Sequence, residues 1–537
     1  MACDGEPRRS EPAVDAEAKL VRASMALRGI RPSIAEMNRV HDHPKQVSAV
    51  IDGWISGDDV DRTMGHLHAE LLRTRVEINS VLPSAGPLAE VSASEIQGSM
   101  NEAPLRLVRE IIRSGRPYSD VVTADFTMVN GILAEMYGLP HDPLGPEWAK
   151  VAWGDGRPSA GLLASTDLMQ RHMSSDTNMN RGRANFVART LLCEDLALGD
   201  LAVSTVDLTN LEEVGDLVEV EPACLGCHAV LDPLAAEFWG FKRYIIRDEV
   251  LDAYAAGCPD PDFCYPLRFY DTANEGRWAD YGLRAPGYFD KEAHDLGALG
   301  VAVAQDPRFS ACATRNFVSW FTQMDRWEVA DADLAPLLDV FLDSDLDAGA
   351  LARAIVDAPV FEERVFATRP EQYASMVEDL TGFRWTVDPD VPGCRTRKAG
   401  CWGVTDVMAE DFNGFRTMFG GIDGYDVVEP VHTTTPVKLL VAGQFASEAA
   451  GYVVWNDFER PVSERRLLIA VEPDTTDEGA IREQLRHLHL RILGERVAPG
   501  SDVISETRAL FGAAKSTREG WKLVITGLLR DPRSLYY

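Results

Sequence analysis

Cys224-Leu225-Gly226-Cys227-His228 sets two thiols three positions apart, with an imidazole directly after the second. Thiols one helical turn apart can add across the two vinyl groups of a haem, and the adjacent imidazole is then held beneath the iron as its proximal ligand. From the Cys and His content of the chain the pattern is expected about 0.003 times by chance. A zinc site wants a second ligand pair of the C-x2–4-C or H-x3–5-H kind. The remaining close cysteines, Cys258 with Cys264 and Cys394 with Cys401, have neither spacing. A redox dithiol belongs at a helix start within a βαβ unit, and Leu217 to Ala223 leads in through Val218, Val220 and Pro222 without one. Covalent haem c on Cys224 and Cys227, with His228 as proximal ligand of the iron, is therefore the expected chemistry.

Cysteine accounting points to the compartment. Cys3 follows a small residue and precedes a polar, Pro- and Glu-containing stretch, as in a lipoprotein whose signal has been cut away; it is a candidate lipid anchor. Setting aside Cys3, Cys224 and Cys227 leaves Cys193, Cys258, Cys264, Cys312, Cys394 and Cys401. Short loop closure favours Cys258 with Cys264 and Cys394 with Cys401, leaving Cys193 for Cys312 by elimination. Disulfides and haem attachment both belong outside the cytoplasm. The expected location is the periplasm or cell envelope, with an outer-membrane lipoprotein as the narrower version.

The elements that must position the motif read as mostly helical. Gly29 ends one helix, and Ser33 with Glu36 forms a capping box that opens the next. Leu105, Val108, Ile111 and Ile112 stripe a helix that stops at Gly115, and Phe126, Val129, Leu133 and Met136 stripe a longer one that stops at Gly138. Pro140, Pro143, Gly145 and Pro146 mark a linker that Gly154, Gly156 and Pro158 extend. A unit from about Gly161 to Arg364 follows, closing in a helix at Pro359. In the tail, Val437–Val441 and Leu467–Val471 are apolar runs that periodicity leaves open between strand and buried helix. The expectation is a mainly α, multidomain protein with a cytochrome c-like haem subdomain and a mixed C-terminal region. Its parts are residues 1–19 as a leading segment, 20–90 and 91–147 as helical domains, 148–368 as the haem domain and 369–537 as a C-terminal domain.

Composition excludes several alternatives. A net charge of −31 opposes phosphate backbones and anionic lipid surfaces, so nucleic acid is not an expected partner and a redox partner protein would be basic. With 45% apolar and 26% charged residues the chain can bury a sizeable core. No apolar run reaches the roughly 18 to 20 residues of a membrane helix. Met1 to Pro7 carries neither a charged nor an apolar signal region.

The segment Cys224 to Leu234, C-L-G-C-H-A-V-L-D-P-L, resembles the C-x-x-C-H-x-x-x-D-P-L element of the planctomycete-type cytochrome c family, large bacterial envelope proteins built from adjoining domains of unknown function. Arg157 to Leu163, Asn180 to Cys193, Ala124 to Asn130, Arg308 to Cys312 and Leu351 to Val356 are similar to other elements of that family, and Leu27 to Ser33 looks like a related leading domain. The likeness runs from about Leu20 to Val365. Two departures stand out: Ala235 replaces the glycine usual after D-P-L, and Glu237-Phe238-Trp239-Gly240 stands where the family has E-x-F-D.

The resemblance implies an envelope c-type cytochrome without supplying a reaction. Electron transfer is the expected role. A lipid-anchored interaction protein in which haem staples a helical subdomain, and a haem peroxidase, are the alternatives. The sixth iron position would separate carrier from peroxidase; Met324, His294, His172 and Met173 lie in the same third of the chain, each with an ordinary structural explanation, and no distal ligand is assigned. Trp239, Trp278, Trp320 and Phe321 are candidates to wall a haem. Asp343 to Gly349 begins like a calcium loop, but Ala348 and Ala354 occupy the glycine and bidentate glutamate positions, so it reads as an acidic helix start. The pairs His41/His43, His66/His68 and His487/His489 sit in helical sequence, where i and i+2 diverge.

Overall fold

The computed structural model describes residues 12–75, 82–141, 147–175, 177–196, 222–243, 245, 247–289, 291–387, 405–408 and 414–537. Helices dominate. Among these residues the β structure is three two-stranded antiparallel ribbons, β1 (Thr127–Val129) with β2 (Ala149–Val151), β3 (Gly287–Tyr288) with β4 (Lys291–Glu292), and β5 (Thr386–Val387) with β6 (Thr405–Asp406), plus two isolated bridges. The fold is mainly α, as the helical periodicity implied. Contacts divide the chain into two compact units. One comprises the residues up to His66 with Phe321–Gln323 and Ala352–Tyr537; the other comprises Leu67–Trp320 and Met324–Leu351.

In the first unit the helix Pro12–Arg28 ends at Gly29, whose φ of +67° suits a residue without a Cβ. Ser33 and Glu36 then make the capping box: the Glu36 carboxylate accepts from Ser33 N–H at 2.7 Å and Ser33 Oγ accepts from Glu36 N–H at 3.2 Å, opening the helix Ile34–Asp42. Met25 from the first helix is buried with Tyr373 and Met376 of Pro370–Thr381, Phe445 and Val453 of Pro436–Phe458, and Trp521 of Thr517–Leu529. The run Val437–Val441 resolves as helix. Thr435 caps it through Lys438 N–H at 3.1 Å, and Pro436 fills the first turn, where a missing N–H costs nothing.

The run Leu467–Val471 is neither strand nor helix but irregular backbone, with Leu467, Leu468 and Val471 buried. Irregular buried backbone needs partners for its polar groups, and side chains supply them. Asp457, 1% exposed, accepts from the N–H groups of Arg466, Leu467 and Leu468, each at 2.9 Å. Gln484 accepts from Ala470 N–H at 2.8 Å and donates to Leu467 C=O at 2.7 Å, while Arg465 donates to the carbonyls of Leu468 and Val471.

In the second unit the helix Ala93–Arg113 starts earlier than its apolar stripe, at a second capping box of Ser92 and Glu95, and ends before Gly115 at φ +64°. The expected long helix through Phe126 and Met136 is corrected. Thr127–Val129 is strand β1, buried along its length and paired with β2, which falls in the stretch read as linker; only Gly131–Tyr137 is helical, capped by Asn130 at 3.1 Å and closed by Gly138 at φ +66°. β-branched Thr127 and Val129 favour the pleated conformation, and their positions fit a helical stripe by coincidence of spacing. Asp347 caps the helix Ala348–Ile355 through Gly349 and Ala350 N–H, so the acidic run is a helix start.

Both expected disulfides within the described residues are present. Cys258 bonds Cys264 with Cα atoms 5.9 Å apart, and Cys193 bonds Cys312 at 5.3 Å across a separation of 119 residues. The bridges fit an oxidising, extracytoplasmic compartment. Cys3, Cys394 and Cys401 lie outside the described residues. No helix among the described residues is long and apolar enough to cross a membrane.

Asp457 carries the buried loop, so D457A should destabilise the protein by about 3 kcal/mol, with D457N losing less because an amide oxygen still accepts. Urea unfolding followed by circular dichroism measures both; equal midpoints for wild type and D457A would contradict the assignment.

Candidate haem site

The motif lies on the helix Pro222–Ala236, which opens on a proline whose missing N–H needs no partner there. Cys224 and Cys227 fall one turn apart on it, Cys224 with its side chain outside the described residues. Cys227 is a half-buried free thiol, whereas Cys193, Cys312, Cys258 and Cys264 are all bridged. His228 is half-buried beside it.

One turn further on, Asp232 faces back to the motif: His228 Nδ1 lies 3.0 Å from Asp232 Oδ1. The same carboxylate accepts from Arg181 Nε at 2.6 Å and Nη2 at 3.3 Å, and its side chain is only 7% exposed. Burial pushes the Asp232 carboxyl up, but hydrogen bonds from His228 and Arg181 and the charge of the guanidinium outweigh it and hold the group below its ordinary range. An ionised carboxylate only accepts, so the network assigns the imidazole proton to Nδ1 and leaves the Nε2 lone pair uncommitted by this contact. That is the tautomer a metal-ligating histidine adopts when a carboxylate stands behind it. Among the motif's described side chains, an unbridged thiol and an imidazole presenting Nε2 fit covalent haem.

Two elements hold this geometry. Arg181 is the first residue of the helix Arg181–Leu191, which packs against the motif helix; Asn180 before it turns the chain at φ +64°. Pro233, inside the motif helix, removes one rung of its hydrogen-bond ladder, and the last turn stays anchored by the burial of Leu234, Ala235 and Ala236. β3 lies alongside. A Cβ at Gly287 would sit 3.0 Å from the Lys291 carbonyl and 3.5 Å from Pro233, so glycine permits the approach.

Cys224, Cys227 and His228 are legible as a site in the sequence, whereas Asp232 and Arg181 take their role from the fold. A usable signal was present: an Asp four residues after a histidine on a helix faces it. Of the aromatic candidates, Trp239 and Trp278 gather with Ala236, Leu283 and Met179 at the C-terminal end of the motif helix, whereas Trp320 and Phe321 belong to the helix Pro307–Thr322 and are buried there. His172 is committed elsewhere. It stacks on Phe186 at 3.7 Å with Nε2 3.2 Å from Leu72 C=O, and burial, with Arg171 nearby, lowers its pKa to about 3. His294 is exposed and lies 3.8 Å from Glu292; Met173 is exposed; Met324 follows the Pro307–Thr322 helix with its carbonyl accepting from Ser319 Oγ.

Glu237, just past the motif helix, is 6% exposed, and its Oε1 has no hydrogen-bond partner among the described residues. Burial, reinforced by Asp295 and Glu275, raises its pKa to about 8. The folded protein therefore binds a proton that the unfolded chain releases near pH 4.3. The stability this contributes is complete below that pH and is lost as pH rises through about 8. Between pH 5 and 8, wild type should lose up to about 1.4 kcal/mol per pH unit relative to E237Q. Denaturant midpoints across that range test it; parallel profiles for the two proteins would refute it.

Residues 33–139 match the model of the family described as PSD4, Protein of unknown function (DUF1592). The matched span ends before the C-x-x-C-H motif and does not include it. No curated protein and no solved structure matches the chain. The chain thus carries, at residues 33–139, a DUF1592 domain, of a family found in planctomycete-type cytochrome c proteins.

Proposed function

We propose that this chain is a single-haem c-type cytochrome of the bacterial envelope that transfers electrons, with haem c attached to Cys224 and Cys227 and His228 as its proximal ligand. The observation that carries the reading is the pairing of a free Cys227 thiol with a neighbouring imidazole whose Nδ1 is engaged by a buried carboxylate. In a chain whose other described cysteines are bridged, a thiol kept out of disulfides is available for thioether formation, in which each S–H adds across a vinyl double bond with no leaving group. Bound haem supplies a one-electron Fe(III)/Fe(II) couple. The protein's own part is to orient His228 through Asp232 and to bury the C-terminal half of the motif helix. The DUF1592 domain and the disulfides agree with an envelope protein of this kind. The charge of −31 favours a basic redox partner. Cys3 is the proposed lipid anchor.

Haem-stained denaturing electrophoresis of the full chain, made in a periplasm with haem-attachment machinery, tests the proposal because only covalent haem survives denaturation. Wild type should stain and C224S/C227S should not; an unstained wild-type band overturns the reading. A reversible one-electron couple in the stained protein distinguishes the carrier from a haem that serves only as a staple.

A further inference from the structure

We infer that Asp232, held by Arg181, is a positioning residue that sets the donor strength of His228 and with it the reduction potential of the site. The inference rests on the haem reading and deepens it. A surface His–Asp pair at i,i+4 would add only a few tenths of a kcal/mol to a helix. Here the carboxylate is withdrawn from water, and a guanidinium from a different helix already satisfies it in part, with donors to both oxygens. The further contact with His228 Nδ1 thus divides one negative charge between a guanidinium and an imidazole N–H. Hydrogen bonding to a carboxylate gives the imidazole partial anionic character and makes Nε2 the stronger donor, which favours Fe(III) over Fe(II). Arg181 works in the other sense. It draws charge from the carboxylate and places a positive charge near the ligand, favouring Fe(II). Removing the two groups should therefore move the potential in opposite directions.

Full-length, haem-loaded wild type, D232N, R181M and R181K are titrated potentiometrically with dithionite and ferricyanide in the presence of mediators, and guanidinium midpoints are taken on the same samples. In D232N the equilibrium should shift about tenfold toward the reduced form, about 59 mV upward for one electron. R181M should shift it several-fold toward the oxidised form, and R181K should return most of the way to wild type because the charge is restored. Unchanged potentials, or shifts of the same sign in D232N and R181M accompanied by lowered midpoints, would reduce Asp232 to a structural brace and overturn the inference while leaving covalent haem standing. A wild type without haem overturns both. If D232N does not fold, R181M and R181K decide, since Arg181 is 21% exposed and tolerates replacement better.

Discussion

A guanidinium fully withdrawn from water must be solvated by the protein, and Arg183 imposes that requirement on the region around the motif. The side chain is 0% exposed and its pKa is lowered to about 9 by burial. Five neutral oxygens take up its donors: the carbonyls of Met169, His172, Lys242 and Arg243, and Asn180 Oδ1. Those acceptors come from the end of the Thr166–Arg171 helix, the turn into Arg181–Leu191 and the chain just after the motif helix. Burying a charge without such partners costs several kcal/mol. The three segments are consequently fixed together.

From that anchor the rest of the site follows by short covalent steps. Asn180, which accepts from Arg183, donates its backbone N–H to Ser174 Oγ at 2.6 Å and adopts the left-handed turn that starts the next helix. Arg181 is the next residue, and its guanidinium reaches the Asp232 carboxylate. The positive charge that is buried and the one that holds Asp232 are thus two residues apart on a single helix. The first organises backbone and the second organises a side chain. In the other unit the same device appears with the sign reversed, where the Asp457 carboxylate gathers three N–H groups of a buried loop.

Local signals in the sequence were legible where a single turn decides the outcome. Gly29, Ser33 and Glu36 name a helix end and a helix start because capping chemistry involves residues within four positions. Thr435 with Pro436 carries the same information for Pro436–Phe458, and Ser92 with Glu95 for Ala93–Arg113. The motif residues were legible because two cysteines and a histidine stand together at a short, fixed spacing. What could not be read was every feature set by a partner distant in sequence. Thr127–Val129 becomes a strand because residues 149–151 lie beside it, and Leu467–Val471 stays irregular because Asp457, Gln484 and Arg465 replace the hydrogen bonds of a regular element. The second partner of Asp232, Arg181 from 51 positions earlier, is visible only once the fold brings it there.

The order in which a ribosome releases this chain gives one of these features a temporal meaning. Phe366 exchanges both backbone hydrogen bonds with Tyr537, and Gln372 donates to Met25 C=O, so the unit that holds the helix Pro12–Arg28 is closed by segments that follow the motif in sequence. The unit bearing the motif is encoded almost entirely in between, from Leu67 to Leu351. Its helices all precede the closing segment in sequence, whereas the helix Pro12–Arg28 must wait with its apolar face uncovered. Vectorial emergence thereby places the motif's own surroundings ahead of the unit that brackets them in sequence.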